Sequence, residues 1–174
     1  MLIVRWIAGV ALVLVASAAQ PAIAQAETKM AISSPAFAAG ANIPERFTCK
    51  GANSSPPLKF SGVPTSAKSL ALIVDDPDAP GGLFTHWLLW KIAPATIMIG
   101  EKTVSPGTVQ GTNDFGKPGY GGPCPPSGTH RYFFRLFALD RPLDLAPNAK
   151  RADFDKALAG HVLARAELMA RSTR

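Results

Sequence analysis

The chain has 174 residues and a formal charge of +6, with 47% hydrophobic and 17% charged residues. That apolar content excludes a disordered, highly charged chain and suits a globular domain of common size. The basic residues are scattered among acidic ones instead of forming one block, so nucleic-acid binding is not expected.

The N-terminus sets the compartment. Arg5 precedes an uncharged apolar run from Trp6 to Ala19, and Pro21-Ala22-Ile23-Ala24 places small residues before Gln25. A positive start, a short apolar run and an A-x-A site describe a secretory signal peptide. The run is shorter than the roughly 20 residues of a membrane span. The sequence therefore predicts a signal peptide over 1-24, a single domain over 25-174, a periplasmic or secreted location and no stable membrane insertion. Cys49 and Cys124 are the only cysteines. In an oxidising compartment an even pair is expected to form a disulfide, and neither has a Cys or His at metal-ligand spacing.

Short β-like pieces follow, Met30–Ser33 and Arg46–Cys49, then a Ser-Pro turn and Leu58-Lys59-Phe60. Ser69–Asp75 (SLALIVD) is apolar on both faces, as a covered central strand is. Phe84–Ile92 (FTHWLLWKI) and Arg131–Leu139 (RYFFRLFAL) are the other strong strand predictions. Between these two, 12 of the 24 residues from Ser105 to Gly128 are Gly or Pro. The stretch also holds Phe115, Tyr120 and Cys124 and is bounded by strands, so an ordered functional loop is expected, not a linker. From Asp153 onward, Phe154, Leu158, Val162, Arg165 and Leu168 recur at spacings of three and four among alanines, which predicts a C-terminal helix holding His161 as a structural residue.

The polar candidates gather at strand ends. Asp75, Asp76 and Asp78 stand where the first strong strand stops, and a hairpin would bring Asp76 and His86 to the same end of a sheet. Alternation puts His130 and Tyr132 on one face with Phe134 and Leu136, and His86 on one face with Leu88 and Trp90. Two histidines and an aspartate at the rim of apolar faces suggest a small pocket with polar donors.

DDPDAP, THW after it, GYGGPCPP and HRY, together with FTCKGANSSPPL near the start, resemble the phosphatidylethanolamine-binding protein family. The nearest branch is the bacterial Raf-kinase-inhibitor-like proteins (YbhB/YbcL type). The resemblance spans Met30 to about Met169. It implies a β-rich α+β fold: a large central β-sheet, a smaller sheet on one side and a C-terminal helix. It also implies a non-catalytic binding protein, without cofactor or metal, that takes a small anionic or phosphorylated ligand such as a phospholipid head group and modulates a protein partner. Carried over by motif position, the ligand site comprises Asp76, Pro77, Asp78, His86, Tyr120, Gly122, Pro123, Cys124, His130, Arg131 and Tyr132, with a cis Ala79-Pro80 bond by the same analogy. Arg131 points away from His130 in a regular strand and is placed to brace the DPDAP aspartates. The alternatives are a metal-assisted or acid–base hydrolase using Asp76, His86 and His130, and a protease inhibitor acting through its loops.

Overall fold

A computed structural model describes residues 29–174. The expected signal peptide lies outside the described residues. Eight strands and one helix follow in chain order: β1 (Ala31–Ser33), β2 (Leu58–Ser61), β3 (Ser69–Asp76), β4 (Phe84–Ile92), β5 (Met98–Ile99), β6 (Val109–Gln110), β7 (Thr129–Leu139), α1 (Arg151–Leu158) and β8 (Val162–Thr173). They build a five-stranded sheet ordered β6-β4-β3-β7-β8 and a three-stranded sheet ordered β1-β2-β5, all pairs antiparallel.

Every residue of β3 is buried because both faces of the large sheet are covered. Leu70, Leu72 and Val74 face the small sheet and share a core with Phe60, Leu89 and Phe134. Ala71 and Ile73 face the other way, into a second core with Leu88, Trp90 and Phe154 of α1. Asp75, fully buried, accepts ion pairs from Arg135 of β7 and Arg151 of α1, and Arg151 also holds Asp155 one turn on. The buried carboxylate thus ties the helix to the sheet.

The expected C-terminal helix is corrected by the fold. The helix is short, begins at Arg151 with the Asp153 carboxylate accepting the Lys150 N–H (3.2 Å), and ends before Gly160, whose φ of 80° suits glycine. The chain then returns as β8, paired with β7 from Val162 to Thr173. Ala164, Ala166, Leu168 and Ala170 pack inward while Arg165, Glu167 and Arg171 stay exposed. This two-residue alternation satisfies a strand, and β7 needs a partner along its full length; tertiary pairing overrides the helical propensity of alanine. His161 sits in the turn between α1 and β8, with Nδ1 3.0 Å from Asp140 Oδ1. Near the start, Glu45–Phe47 forms a 3-10 turn where a strand over Arg46–Cys49 was expected, and no peptide bond among the described residues is cis, Ala79-Pro80 included.

Candidate functional site

The β3–β4 hairpin and the start of β7 place their polar groups at one end of the large sheet, around a cavity of about 150 Å³. Asp76 ends β3. Its Oδ1 accepts the Asp78 N–H (2.8 Å), and its Oδ2 lies 2.8 Å from His130 Nδ1. His86 reaches the cavity through a register shift in β4: Val74 pairs with Trp87 but Asp75 pairs with Thr85, leaving His86 as an extra residue. Such a bulge re-aims a side chain. The His86 ring packs edge-on against Tyr132 (5.2 Å between centroids), which belongs to the core between the sheets. The expectation that His86 shares a face with Leu88 and Trp90 is therefore corrected, since those two lie in the opposite core.

His86 Nδ1–H donates to the Gly121 carbonyl (2.6 Å), while Gly121 N–H donates to the His86 carbonyl (2.9 Å), so strand and loop clasp each other. Each histidine thus spends Nδ1 on a protein acceptor and keeps only Nε2. A neutral ring offers a lone pair there, and a protonated ring offers a donor. Burial pushes the His86 pKa below its ordinary 6.5, opposed by the Gly121 carbonyl and by the charges of Asp76 and Asp114. Tyr132 also lines the cavity. Its buried hydroxyl adjoins the Asp76 carboxylate and the Cys124 amide but meets hydrogen-bond geometry with no protein atom among the described residues. Burial, and then the Asp76 charge, hold its pKa above the ordinary phenol value, so it remains a donor at neutral pH.

Other expected site residues serve the walls. Arg131 is exposed and grips Asp78 through Nε (2.9 Å) and Nη2 (2.6 Å), while its backbone N–H donates to the same carboxylate (2.9 Å). The guanidinium hydrogen bonds lower the Asp78 pKa to about 2. Neither residue lines the cavity, nor does Pro77. The Tyr120 hydroxyl donates to the Phe47 carbonyl (2.9 Å), and its ring stands edge-on to Trp87. Gly122 N–H donates to Asn53 Oδ1 (2.7 Å), and the Pro123 carbonyl accepts the Cys49 N–H (3.0 Å). Beside these contacts the Cys49–Cys124 disulfide forms, with Cα atoms 5.4 Å apart. Tyr120, Gly122 and Pro123 thus fasten the loop to residues 47–53, and of this group only Cys124 borders the cavity.

The ligand-site residues expected from the sequence did not include the side chains of Phe84, Phe115, Ala79 or Pro80, which with Pro126 complete the lining. Phe84 stands 4.8 Å from Phe115 and 5.1 Å from His86 between centroids, and Phe115 stands 5.4 Å from His86. An aromatic residue inside a Gly/Pro-rich loop was the available signal for Phe115. Among the described residues no group of three or more His, Cys, Asp or Glu side chains is arranged to hold a metal ion.

A family profile described as "Phosphatidylethanolamine-binding protein" matches residues 33–173. The chain belongs to the phosphatidylethanolamine-binding protein family. Within that family it is similar to a UPF0098 protein of Methanothermobacter thermautotrophicus, 52% identical over 145 residues that cover 80% of this chain and 96% of the relative. Among solved structures it is similar to a phosphatidylethanolamine-binding protein homolog from Chlamydia trachomatis, 40% identical with a TM-score of 0.80, covering 84% of this chain and 98% of that one. Escherichia coli YbcL, described as a new member of the mammalian family, is 31% identical with the same TM-score, covering 84% and 99%. The two-sheet fold described above is the fold of these family members. No helix among the described residues is long and apolar enough to cross a membrane.

Proposed function

We propose that this family member is an exported, non-catalytic binding protein whose end pocket holds a small anionic, phosphate-like head group and which modulates a protein partner. The observation that carries the reading is the cavity itself, where the buried Tyr132 hydroxyl adjoins the His130–Asp76 pair without meeting hydrogen-bond geometry to any described protein atom. A buried polar group left unmatched in a folded protein calls for a partner, and a ligand oxygen supplies one. The two Nε2 atoms add donors when the rings are protonated. The cavity volume of about 150 Å³ suits a head group and is too small for a large metabolite. The A-x-A site before Gln25 and the disulfide between Cys49 and Cys124 support export.

Titration with methyl phosphate, followed by the histidine ring resonances, tests the pocket. Saturable shifts of His86 and His130 are expected, with the His86 shift lost in His130→Ala; unchanged resonances at high ligand would sink the reading. The N-terminal mass of protein recovered from the periplasm tests export, with Gln25 expected as the first residue.

One observation favours a second reading. Asp76 orients His130 through Nδ1 and leaves Nε2 free, which is the base-and-orienter half of an acid–base site. Turnover of a phosphoester lost in His130→Ala would establish this hydrolase over the binding protein.

A further inference from the structure

The end pocket is one of three adjoining cavities along the Gly/Pro loop. Phe115, 46% exposed, lines both the pocket and a second cavity of about 300 Å³. Asn53, Pro118 and Tyr120 line both that second cavity and a third of about 270 Å³. The result is a trough that leaves the histidines, crosses the Phe115 ring and runs beside residues 118–122.

Its chemistry differs from that of the pocket. Lys117 lines the second cavity and Lys102 the third, and neither takes part in an ion pair among the described residues. Asn53 spends Oδ1 on Gly122, and Gln110 spends Oε1 on the Trp87 indole (2.9 Å), so both amides keep their NH2 donors. Ser54 and Ser55 extend the polar floor of the third cavity, whereas Phe115, Pro118 and Tyr120 give the second a more apolar wall. Two of the three non-glycine residues with positive φ among those described are Asn53 (52°) and Lys102 (57°). Left-handed backbone is disfavoured for an L-residue such as lysine, and such strain concentrates at binding sites.

We propose that the site is bipartite: the trough beyond Phe115 is a second anion subsite, built on Lys117 and Lys102 with the Asn53 and Gln110 amides, and the ligand class is an extended bis-anion instead of an isolated head group. The inference rests on the head-group reading of the pocket. One anionic group occupies the pocket by the histidines, the connecting chain crosses Phe115, and the second group lies on the lysines.

Calorimetry with methyl phosphate and with a series of alkane α,ω-bisphosphates of increasing length tests it. Tethering turns the second contact into an intramolecular one, and two partly solvated ion pairs should raise affinity about five- to twentyfold at one preferred length. Lys102→Gln/Lys117→Gln, both exposed positions, should abolish that gain and leave methyl phosphate affinity within about twofold. Three outcomes overturn the second subsite: a gain no larger than the statistical factor for two equivalent ends, a gain that survives in the double variant, or an equal loss for both ligands in that variant. No binding of methyl phosphate to the unaltered protein overturns the head-group reading and this inference together, so the two failures are told apart.

Discussion

His130 Nδ1 lies 2.8 Å from Asp76 Oδ2, with the two side chains 9% and 4% exposed. The contact leaves Nε2 as the free edge of the ring, so the protonation state decides whether the cavity presents a lone pair or a donor.

Affinity for an anion of constant charge, such as sulfate, should therefore fall as rising pH removes the His86 proton, at the acid side of the ordinary 6.5 because burial disfavours the charged ring. The fold responds with the opposite sign. The unfolded chain takes up a proton at His86 more readily than the folded one, so stability from neutral His86 is present above about pH 6.5 and is lost as pH falls below it. Calorimetry and denaturant titrations across this window check both slopes. Sulfate binding that strengthens with rising pH would contradict the mechanism.

Asp75 is the single buried carboxylate shared by Arg135 and Arg151. Asp75→Ala removes the centre of that network and leaves two partly buried guanidinium groups facing one another. A loss of about 3 kcal/mol is expected. Urea denaturation measures it, and a loss under about 1 kcal/mol would show that solvent replaces the carboxylate without difficulty.

The Cys49–Cys124 bridge joins residues 75 apart in sequence. Closing so long a loop in the unfolded chain predicts that Cys49→Ser/Cys124→Ser is less stable by about 2–4 kcal/mol. The Tyr120–Phe47, Gly122–Asn53 and Cys49–Pro123 hydrogen bonds remain in that variant. The loop should accordingly keep its place in the folded state, with histidine resonances close to those of the unaltered protein. Large resonance changes would assign the bridge a direct part in shaping the pocket.

Gly121 and Gly122 are neighbours with unlike constraints. A Cβ at Gly122 would stand 2.5 Å from the Phe47 carbonyl oxygen and 2.6 Å from Asn53 Oδ1, and the backbone oxygen cannot step aside. Gly122→Ala should cost about 1–3 kcal/mol. A Cβ at Gly121 would meet the Phe115 ring, which is half-exposed and free to swing outward. Gly121→Ala should cost less and should change bisphosphate binding more than methyl phosphate binding, because it moves the ridge between pocket and trough. Equal destabilisation by the two alanines would contradict the distinction.

Local pattern accounts for much of this protein. The apolar run Leu70–Val74 can be stable only where both faces are covered, so β3 was legible as a central strand, and the aromatic run Phe84–Ile92 marked β4 as a strand. The period of two placed His130 and Tyr132 on the buried face of β7 and sent Arg131 to solvent, where Asp78 holds it. The odd composition of residues 105–128 marked an ordered loop, and two cysteines behind an expected signal peptide implied their pairing.

What lay beyond local pattern was decided by neighbours distant in sequence. Residues 162–173 read as a helix because alanine favours one, yet alternating small and long side chains fit a strand equally, and the unpaired length of β7 selects the strand. His86 turns toward Tyr132 because of one extra residue in the β3–β4 register, which strict alternation does not foresee. Asp76 meets His130 rather than His86, and Tyr120 is spent on Phe47, because β7 and the 47–53 segment come into place only when the sheet closes. Side-chain alternation along a strand is a local property of the backbone; register, bulges and the choice of hydrogen-bond partner belong to the assembled sheet.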